Sequence, residues 1–479
     1  MLGSTLWLTV ATLAGLIAGF AREWLLIHAW GASNQSDAFL ISLFLPEALR
    51  MALAAGLISA AALPLYLRRS EPEQIAWLDG MSSRFILCGL GVSLLLALAA
   101  PLWVRLIGPG LNDQAHALAS ASLQTLAWCV PGFLLHALLS VPLQARERFV
   151  LAGLGSLLFN LPPVLYLAAM GQQASLAVTA QSCVIGSLLM PLALLPALWR
   201  LHWRPWRLRG AAGAGRELLS GIGPLLASNL TSQGLALLER IVASLLGEGA
   251  VAWANLARKL VNLPLIALLS LNQVLLSLMS RTNGRERLQL LKRGLNLATL
   301  LTLPAALGLV GATPALVHLM FPGQAASSPL PELLAWFAVP LLFGAWNSML
   351  ARFAYADGDT RMPLRCELIG GALNAVALAI LPYFFGLNGI PMAMTLGLTL
   401  TSLLLMRRQN LLGEVPWMRQ WLLAIPVLGV GALVLHPLHS TWIQLSASIL
   451  AGGVALVGLA WWLKPWRSEA GTAVPDAHA

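Results

Sequence analysis

Long apolar runs, repeated along almost the whole chain, constrain this sequence more than any other feature. Each run holds about 20 or more residues with few charges, which is the length that a helix needs to cross a bilayer. Short polar breaks separate the runs. In hydrocarbon only a helix or a closed barrel satisfies the backbone N–H and C=O groups, and each run is too long for a barrel strand. The pattern therefore predicts an all-α polytopic membrane protein.

Composition excludes the soluble classes of protein. Charged residues are 10% of the 479 residues, against about 25% in an ordinary soluble domain. A cytosolic enzyme, a secreted domain or a disordered chain would carry more charge than this. The four cysteines fall inside apolar runs without disulfide or metal spacing, and the chain has no zinc motif and no phosphate-binding P-loop. We therefore expect no metal, no ATP site and no cofactor.

The apolar runs predict about 14 transmembrane helices. The candidate spans lie near residues 4–29, 37–67, 81–107, 116–144, 149–170, 175–199, 217–246, 251–280, 288–312, 330–356, 363–386, 388–406, 418–437 and 441–463.

Basic residues set the predicted orientation. Of the 29 Lys and Arg residues, 22 fall in segments on one side, one falls on the other side at Arg105, and six lie within apolar runs. Cytoplasmic loops collect Lys and Arg, so both termini are expected in the cytoplasm. The net charge of +10 is spread singly along the chain. Nucleic acid is therefore not an expected partner.

The two halves of the chain share a pattern. Each half has a proline before a long helix, a short polar turn on the predicted inner side, and a helix with one buried asparagine, at Asn160 and Asn374. The pattern indicates two six-helix repeats that form a central cavity; chance likeness among Leu-rich helices is the alternative. The predicted boundaries are an N-terminal lobe at 1–201, a basic cytoplasmic linker at 202–216, a second lobe at 217–408, two additional helices at 409–466 and a cytoplasmic tail at 467–479.

Basic residues within the apolar runs are the most informative charges. An arginine at the bilayer centre costs about 2.5–3.5 kcal/mol on insertion scales, so it needs a partner or a function. Arg22 and Arg50 are candidates for binding an anion, because the guanidinium fork donates two parallel hydrogen bonds to phosphate. Lys259, with Arg258 beside it, is a further candidate. Asp37, at the predicted outer start of the second span, is either part of this site or a first-turn acid favoured by the helix dipole.

Ion pairs are the alternative interpretation of these charges. Glu23 could pair with Arg22, Glu47 with Arg50, and Glu239 with the basic pair in the eighth span. At about 1.5 Å per residue from the predicted outer ends, Arg22 would lie about 10 Å deep and Arg50 about 20 Å deep. We therefore expect the two arginines at different depths, where they would hold an anion at successive stages.

The N-terminal stretch resembles a known family. It reads GFAREWLLIHAWGASNQSDAF and then LFLPEALRMALAAGLISAAALPLY. These segments resemble the MurJ (MviN) family of lipid II flippases, in the multidrug/oligosaccharidyl-lipid/polysaccharide exporter superfamily, whose pattern is GFARD…FGAG…TDAF…LPNLLRR…AEGAFSQAFVP. The family's FYSRQDTKTP turn is similar to AYADGDTRMP at 354–363. The resemblance implies a transporter rather than an enzyme, in a bacterial inner membrane.

The resemblance also implies site residues. Arg22 matches the arginine of GFARD, Asp37 the aspartate of TDAF, and Arg50 an arginine of LPNLLRR. In LARKLVNLP, Lys259 takes the place of the family's cavity arginine, and Arg258 lies beside it. Three charged positions of the family are uncharged here, at Leu16, Ala55 and Asn262.

The resemblance and the intramembrane charges together imply a flippase. It would move an undecaprenyl-pyrophosphate-linked saccharide, either lipid II or a related polysaccharide repeat unit, from the cytoplasmic to the periplasmic leaflet by alternating access. One alternative is a cation-coupled drug exporter, whose cavity should be acidic. Another is an integral membrane glycosyltransferase or polymerase, which needs acids on a large outer loop; the loop near 313–329 has none. The expected partners are the lipid-linked saccharide, the bilayer and cell-wall or polysaccharide synthesis machinery.

Glu239 in the seventh span is a candidate for cation binding. The resemblance associates an acid here with sodium, and the oxygen of Asn374 could help it to hold Na⁺ or a proton. The family's second acid is Leu378 in this chain. An internal pair of Glu239 with Arg240 or Arg258 is therefore the competing interpretation. An Na⁺ or H⁺ gradient, the membrane potential or consumption of the product would drive transport.

Overall fold

The structure is a computed structural model of the 479-residue chain. The predicted linker at 202–216, apart from Trp203, and the predicted tail at 467–479 lie outside the described residues, as do parts of predicted spans seven and eight. The structure describes residues 2–54, 57–146, 148, 151, 153–199, 203, 218, 233–262, 275, 278–322, 328–415, 417–438 and 440–463.

Helices account for the regular structure of the described residues, which confirms the predicted all-α fold. They are α1 (Leu2–Trp30), α2 (Asn34–Ala54), α3 (Leu57–Leu67), α4 (Glu71–Leu98), α5 (Ala100–Ile107), α6 (Asp113–Leu126), α7 (Cys129–Ala145), α8 (Gly155–Met170), α9 (Leu176–Leu192), α10 (Leu195–Trp199), α11 (233–245), α12 (Ala250–Asn262), α13 (Gly284–Met320), α14 (Leu330–Ala356), α15 (Arg361–Phe385), α16 (Gly389–Arg408), α17 (Trp417–Leu435) and α18 (Thr441–Leu463). Short 3₁₀ turns lie at Gly171–Gln173 and Gly386–Asn388.

Three of the predicted single spans are pairs of helices whose short break lies within the described residues. A proline lies in the first turn of the second helix of each pair, at Pro101 of α5, Pro131 of α7 and Pro196 of α10. Proline lacks an N–H and clashes with the preceding turn, so it is tolerated where a helix begins and interrupts one that would continue. The spans concerned were predicted at 81–107, 116–144 and 175–199.

Eight helical stretches in the described residues are long and apolar enough to cross a membrane. The longest single helix, α13, has 37 residues and at 1.5 Å per residue is about 55 Å long. It therefore exceeds a hydrocarbon core of about 30 Å, and its first turns carry Arg285, Glu286 and Arg287. The predicted membrane fold is confirmed, whereas the count of fourteen spans is not.

The first of two compact units comprises Met1–Leu263 and Gly371–Met394. In this unit α1 packs against α8, and α8 packs against α9. A Cβ at Gly186 of α9 would lie 2.3 Å from the carbonyl oxygen of Phe159. Glycine thus allows the two helix backbones to approach closely, as small residues do between membrane helices. The middle of α8 is buried as a result, and Phe159 and Asn160 with it.

The second unit comprises Pro264–Gly370 and Thr395–Ala479. Its long helix α13 packs against α14, α17 and α18. Buried Thr299 of α13 donates to Oε1 of Gln420 over 2.7 Å and accepts from Nε1 of Trp346 over 2.9 Å. The amide of Gln420 donates in turn to Oδ1 of Asn296 over 2.7 Å. These hydrogen bonds attach α17 to α13 and α14, because polar side chains away from water hold membrane helices together.

Candidate functional site

Five charged residues come together in the interior of the first unit. Helix α1 contributes Arg22 and Glu23, α2 contributes Glu47 and Arg50, and α12 contributes Lys259. We call these five residues the charge cluster. An isolated buried ion costs several kcal/mol, so buried charges persist where opposite charges and hydrogen bonds compensate them.

Arg22 donates hydrogen bonds to three side chains from three different helices. Its Nη1 donates to Oδ1 of Asn160 over 2.8 Å. Its Nη2 donates to Oε1 of Glu23 over 2.9 Å and to Oε1 of Glu47 over 3.3 Å. The guanidinium presents its donors in a fixed plane, so three acceptors from three directions determine its orientation. Asn160 is buried as predicted, and Arg22 is its partner.

Glu23 connects α1 to α12. Its Oε1 accepts from Nη2 of Arg22 over 2.9 Å and from Nζ of Lys259 over 2.5 Å. Its Oε2 accepts from the side-chain amide of Asn255. Asn255 and Lys259 are four residues apart and therefore lie on one face of α12. Glu23 thus acts as a counter-ion that holds the basic face of α12 against α1.

Oε1 of Glu47 is the point at which three cations converge. Nη2 of Arg22 lies 3.3 Å away, Nη2 of Arg50 3.4 Å and Nζ of Lys259 3.9 Å. The two guanidinium groups therefore meet at one oxygen, whereas the depth of each residue in a membrane stays a prediction. Arginine side chains are long, and α2 contains Pro46 directly before Glu47. A count of residues along straight helices consequently does not locate the guanidinium groups.

Phe159 of α8 lies beside both guanidinium groups. Its ring centroid is 5.0 Å from Cζ of Arg50 and 5.7 Å from Cζ of Arg22. A cation over an aromatic face is attracted by the ring quadrupole. Nη1 of Arg50 also contacts Oγ of Ser156, one turn earlier on α8, at 3.4 Å. Phe159 is not among the site residues predicted from the sequence, although its position directly before Asn160 could have indicated it.

Arg240 of α11 lies next to the charge cluster. Its Nη1 donates to the carbonyl oxygen of Leu40 over 2.6 Å, and its Nη2 donates to Oδ1 of Asn255 over 3.1 Å. Its Cζ is 4.8 Å from the ring centroid of Phe44. Asn255 therefore bridges Arg240 and Glu23. The sequence indicates Arg240 only as a possible partner for Glu239, its neighbour on α11.

Positive charge is in excess in this region. Within the charge cluster, Lys259 is the most accessible basic side chain, at 27% exposed, whereas that of Arg22 is at 0%. A set of fixed charges with a positive balance attracts anions and repels cations. The described charges of the region are the cations Arg22, Arg50, Arg240 and Lys259 and the carboxylates Glu23 and Glu47.

Asp37 lies near the beginning of α2, away from Glu47 and Arg50 along the same helix. Its Oδ2 accepts from the backbone N–H of Gly249 and its Oδ1 from that of Ala252, each over 2.8 Å. Helix α12 begins at Ala250. An acid at this position satisfies N–H groups that have no partner within the helix, and it complements the positive end of the helix dipole. Asp37 is in the first turn of α2 and also caps α12.

The loops around Asp37 are held together by further contacts. The backbone N–H of Asn34 donates to Oε1 of Glu248 over 3.0 Å. Gly249 has φ +76°, and a Cβ there would lie 2.5 Å from the carbonyl oxygen of Ala32. Both the left-handed conformation and the close approach require glycine. We call Ala32, Asn34, Asp37, Glu248 and Gly249 the clasp.

Glu239 of α11 forms an ion pair with Arg258 of α12. This is one of the two internal pairs that the sequence left open. Asn374 of α15 is buried as predicted, and its Oδ1 has no hydrogen-bond partner among the described residues. Within the part of the chain that the structure describes, no group of three or more His, Cys, Asp or Glu side chains could hold a metal ion.

The predicted site residues thus divide into three places. Arg22, Arg50 and Lys259 meet in the charge cluster. Arg258 lies against Glu239, and Asp37 belongs to the clasp.

The helical fold is shared with solved structures of polytopic membrane transporters. A solved structure titled "Lipid II flippase MurJ, inward closed conformation" matches with a TM-score of 0.82 and 19% sequence identity, over 96% of this chain and 99% of that chain. An inward-facing multidrug resistance MATE family transporter of the MOP superfamily matches with a TM-score of 0.66 and 16% identity, over 85% of this chain and 95% of that one. These likenesses establish the class of fold.

Sequence comparison identifies the family. The family described as "Lipid II flippase MurJ" matches residues 26–457, so this chain belongs to that family. The lipid II flippase MurJ of Burkholderia cenocepacia is 27% identical over 438 residues, which cover 85% of this chain and 84% of that protein. A probable lipid II flippase MurJ of Thermotoga maritima is 25% identical over 400 residues, 81% of each chain. The predictions of family membership and of a transporter rather than an enzyme are confirmed.

Proposed function

We propose that this chain is a flippase that moves lipid II, an undecaprenyl-pyrophosphate-linked saccharide, from the cytoplasmic to the periplasmic leaflet. The observation that supports this most directly is the convergence of Arg22, Arg50 and Lys259 on one carboxylate oxygen of Glu47. Phosphate and carboxylate oxygens accept the same charge-assisted hydrogen bonds. A position where three cations meet such an oxygen is therefore suited to a diphosphate. Membership of the family favours lipid II as the lipid-linked saccharide.

The charge cluster supplies what the diphosphate needs in order to cross the membrane. Charged groups are expensive in hydrocarbon unless opposite charges and water accompany them. Lys259 is the most accessible cation of the charge cluster and meets the headgroup first. Arg50 has an adaptable environment, since its contacts with Glu47 and Ser156 are both 3.4 Å long. Arg22, which Asn160 and Glu23 hold in place, presents Nη2 in a fixed position.

The clasp closes one end of the first unit in this proposal. The excess of basic residues in the predicted inner segments supports an orientation with both termini in the cytoplasm and the clasp on the periplasmic side. Release of the headgroup there requires Asp37 to leave the amides of Gly249 and Ala252. Asp37 is then a positioning residue that determines when the site opens, and the protein is a multi-pass protein of the bacterial inner membrane.

Export of cationic drugs fits the charges less well. The fold is shared with a multidrug resistance transporter, but the positive balance around the charge cluster repels a cationic substrate. Arg258 also neutralises the charge of the Glu239 carboxylate, so this carboxylate does not need a bound cation. We therefore propose the membrane potential, rather than an Na⁺ gradient, as the driving force.

Complementation of a bacterial strain depleted of its own lipid II flippase tests the proposed function. Expression of this chain is expected to restore growth, and Arg50→Ala is expected to abolish the rescue. Arg105→Ala is the matched control, since Arg105 is exposed on α5 and far along the chain from the charge cluster. Failure of the unmodified chain to rescue, at normal membrane abundance, would contradict lipid II as the substrate and favour a polysaccharide repeat unit.

A further inference from the structure

The two carboxylates of the charge cluster are held in different ways. The side chain of Glu23 is 1% exposed, and its contacts with Arg22 and Lys259 are 2.9 and 2.5 Å long. The side chain of Glu47 is 17% exposed, and its contacts with the three cations range from 3.3 to 3.9 Å. Charge-assisted hydrogen bonds are usually about 2.7–2.9 Å long. Glu23 is thus bonded tightly, whereas Glu47 is attracted by several cations without a close bond to any of them.

The cations around Glu47 have room for a better acceptor. One carboxylate carries a single negative charge, which Arg22, Arg50 and Lys259 share at Oε1. A diphosphate carries more charge and more oxygens, so it can bond each of these cations at normal length. A singly charged anion would only replace the single negative charge of Glu47 with another, so it would gain little binding free energy. The arrangement therefore favours a multiply charged headgroup over a singly charged one.

We propose that Glu47 is a resident anion that occupies the diphosphate position while the protein is empty, and that the substrate displaces it from Arg50 and Lys259. This inference rests on the proposed function and identifies the residue that determines the affinity and charge selectivity of the same site. Glu47 compensates the cations between transport cycles. It also returns to them when the headgroup leaves, which shortens the time for which the product stays bound.

Binding of undecaprenyl pyrophosphate to the full chain in lipid nanodiscs tests this role, with phosphatidylglycerol as a singly charged competitor. Glu47→Gln is expected to bind the diphosphate lipid about tenfold more tightly, because a competing negative charge has been removed. The preference of this variant for the diphosphate lipid over phosphatidylglycerol is expected to decrease. Transport is expected to slow while binding tightens, since no carboxylate replaces the leaving headgroup. A purely structural role for Glu47 would weaken binding and transport together.

Glu23→Gln is the matched control, because it removes the same charge from the same cluster. Glu23 anchors Lys259 and Asn255, so this variant is expected to bind the diphosphate lipid less tightly. Equal tightening in both variants would indicate a general effect of net charge and would overturn the proposal. Unchanged or weaker binding by Glu47→Gln would also overturn it.

A second variant covers the case in which Glu47→Gln does not give monodisperse protein. Glu47→Asp keeps the charge but withdraws it from Arg50 and Lys259, so binding is expected to tighten by a smaller factor, about threefold. Weaker binding by Glu47→Asp would overturn the proposal. The complementation experiment distinguishes the two levels of inference. If the unmodified chain fails to rescue growth while Glu47→Gln binds the diphosphate lipid more tightly, lipid II transport is overturned. The role of Glu47 at the diphosphate position is then retained.

Discussion

Arg22 and Asn160 lie 138 residues apart in the sequence, and a 2.8 Å hydrogen bond joins them in the interior of the first unit. The amide of Asn160 also donates from Nδ2 to the carbonyl oxygen of Ser156, one turn earlier on α8, over 2.8 Å. This second bond fixes the amide so that Oδ1 faces the guanidinium. Helix α8 therefore determines the orientation of Arg22, and with it the direction in which Nη2 points.

Replacement of Asn160 should destabilise the protein because it leaves a buried donor of Arg22 without an acceptor. We expect Asn160→Leu to lower the free energy of unfolding by about 1–3 kcal/mol. Thermal unfolding of the purified protein measures this. Asn374→Leu is the matched control, since the Oδ1 of Asn374 has no partner among the described residues, and its effect should be smaller. Equal losses would contradict the importance of the bond between Asn160 and Arg22.

The shape of Arg22 should matter as well as its charge. A lysine replaces the planar fork with one ammonium nitrogen, so it cannot keep the separate contacts that Nη1 makes with Asn160 and that Nη2 makes with Glu23 and Glu47. Misplacement of a binding group by about 1 Å can cost about 100-fold in rate, so we expect a loss of that order for Arg22→Lys in a lipid II translocation assay. Lys259→Arg keeps the charge at an accessible position and should retain transport. Similar activity of the two variants would contradict a fixed role for the guanidinium.

Loss of Asp37 should open the clasp. Asp37→Ala leaves the N–H groups of Gly249 and Ala252 without their acceptors. Each unmade bond of a buried donor costs about 1–3 kcal/mol, so we expect a cysteine at Ala32→Cys to react at least about tenfold faster with a membrane-impermeant thiol reagent.

The labelling experiment requires a Cys88→Ser background, since Cys88 is exposed while the other three cysteines are buried. Asp113→Ala is the control, because Asp113 is an exposed first-turn acid of α6 outside the clasp. Unchanged labelling in Asp37→Ala would show that the clasp does not depend on this carboxylate.

Transport should not require Na⁺ if Arg258 remains the counter-ion of Glu239. We expect the same translocation rate in Na⁺ and in K⁺ buffers. Removal of one partner of an ion pair leaves an uncompensated charge, whereas removal of both does not. Arg258→Gln should therefore lower the melting temperature more than the double variant Glu239→Gln with Arg258→Gln. An Na⁺ requirement that disappears in Glu239→Gln would instead establish a cation site.

The fold class could be predicted because long apolar runs leave few structures possible in a bilayer. The interior positions of Arg22 and Arg50 could also be predicted, because a charged side chain in an apolar run is costly when it faces lipid. The breaks within spans were missed, since a window average of hydropathy does not register Pro101, Pro131 or Pro196. A proline in the first turn of a helix marks such a break. It can be recognised as a first-turn proline only when the residue at which the helix begins is known.

The contacts of the site were less predictable than its members. Membrane helices are apolar around most of their circumference, so the sequence does not determine which face of α2 meets α1 or α12. The convergence of cations on Glu47 depends on these rotations. Asp37 is also far along the chain from α12, which it caps. The sequence around Asp37 indicates only a cap on α2, its own helix.

Pro46 has a consequence for the way in which the two ends of α2 communicate. It lies between Asp37, which belongs to the clasp, and the pair Glu47 and Arg50, which belongs to the charge cluster. Because proline removes one main-chain hydrogen bond, the helix has a preformed joint at this point. The two segments can change their mutual angle without further loss of backbone bonding. Binding of a headgroup beside Pro46 can therefore rotate the segment of α2 that carries Asp37.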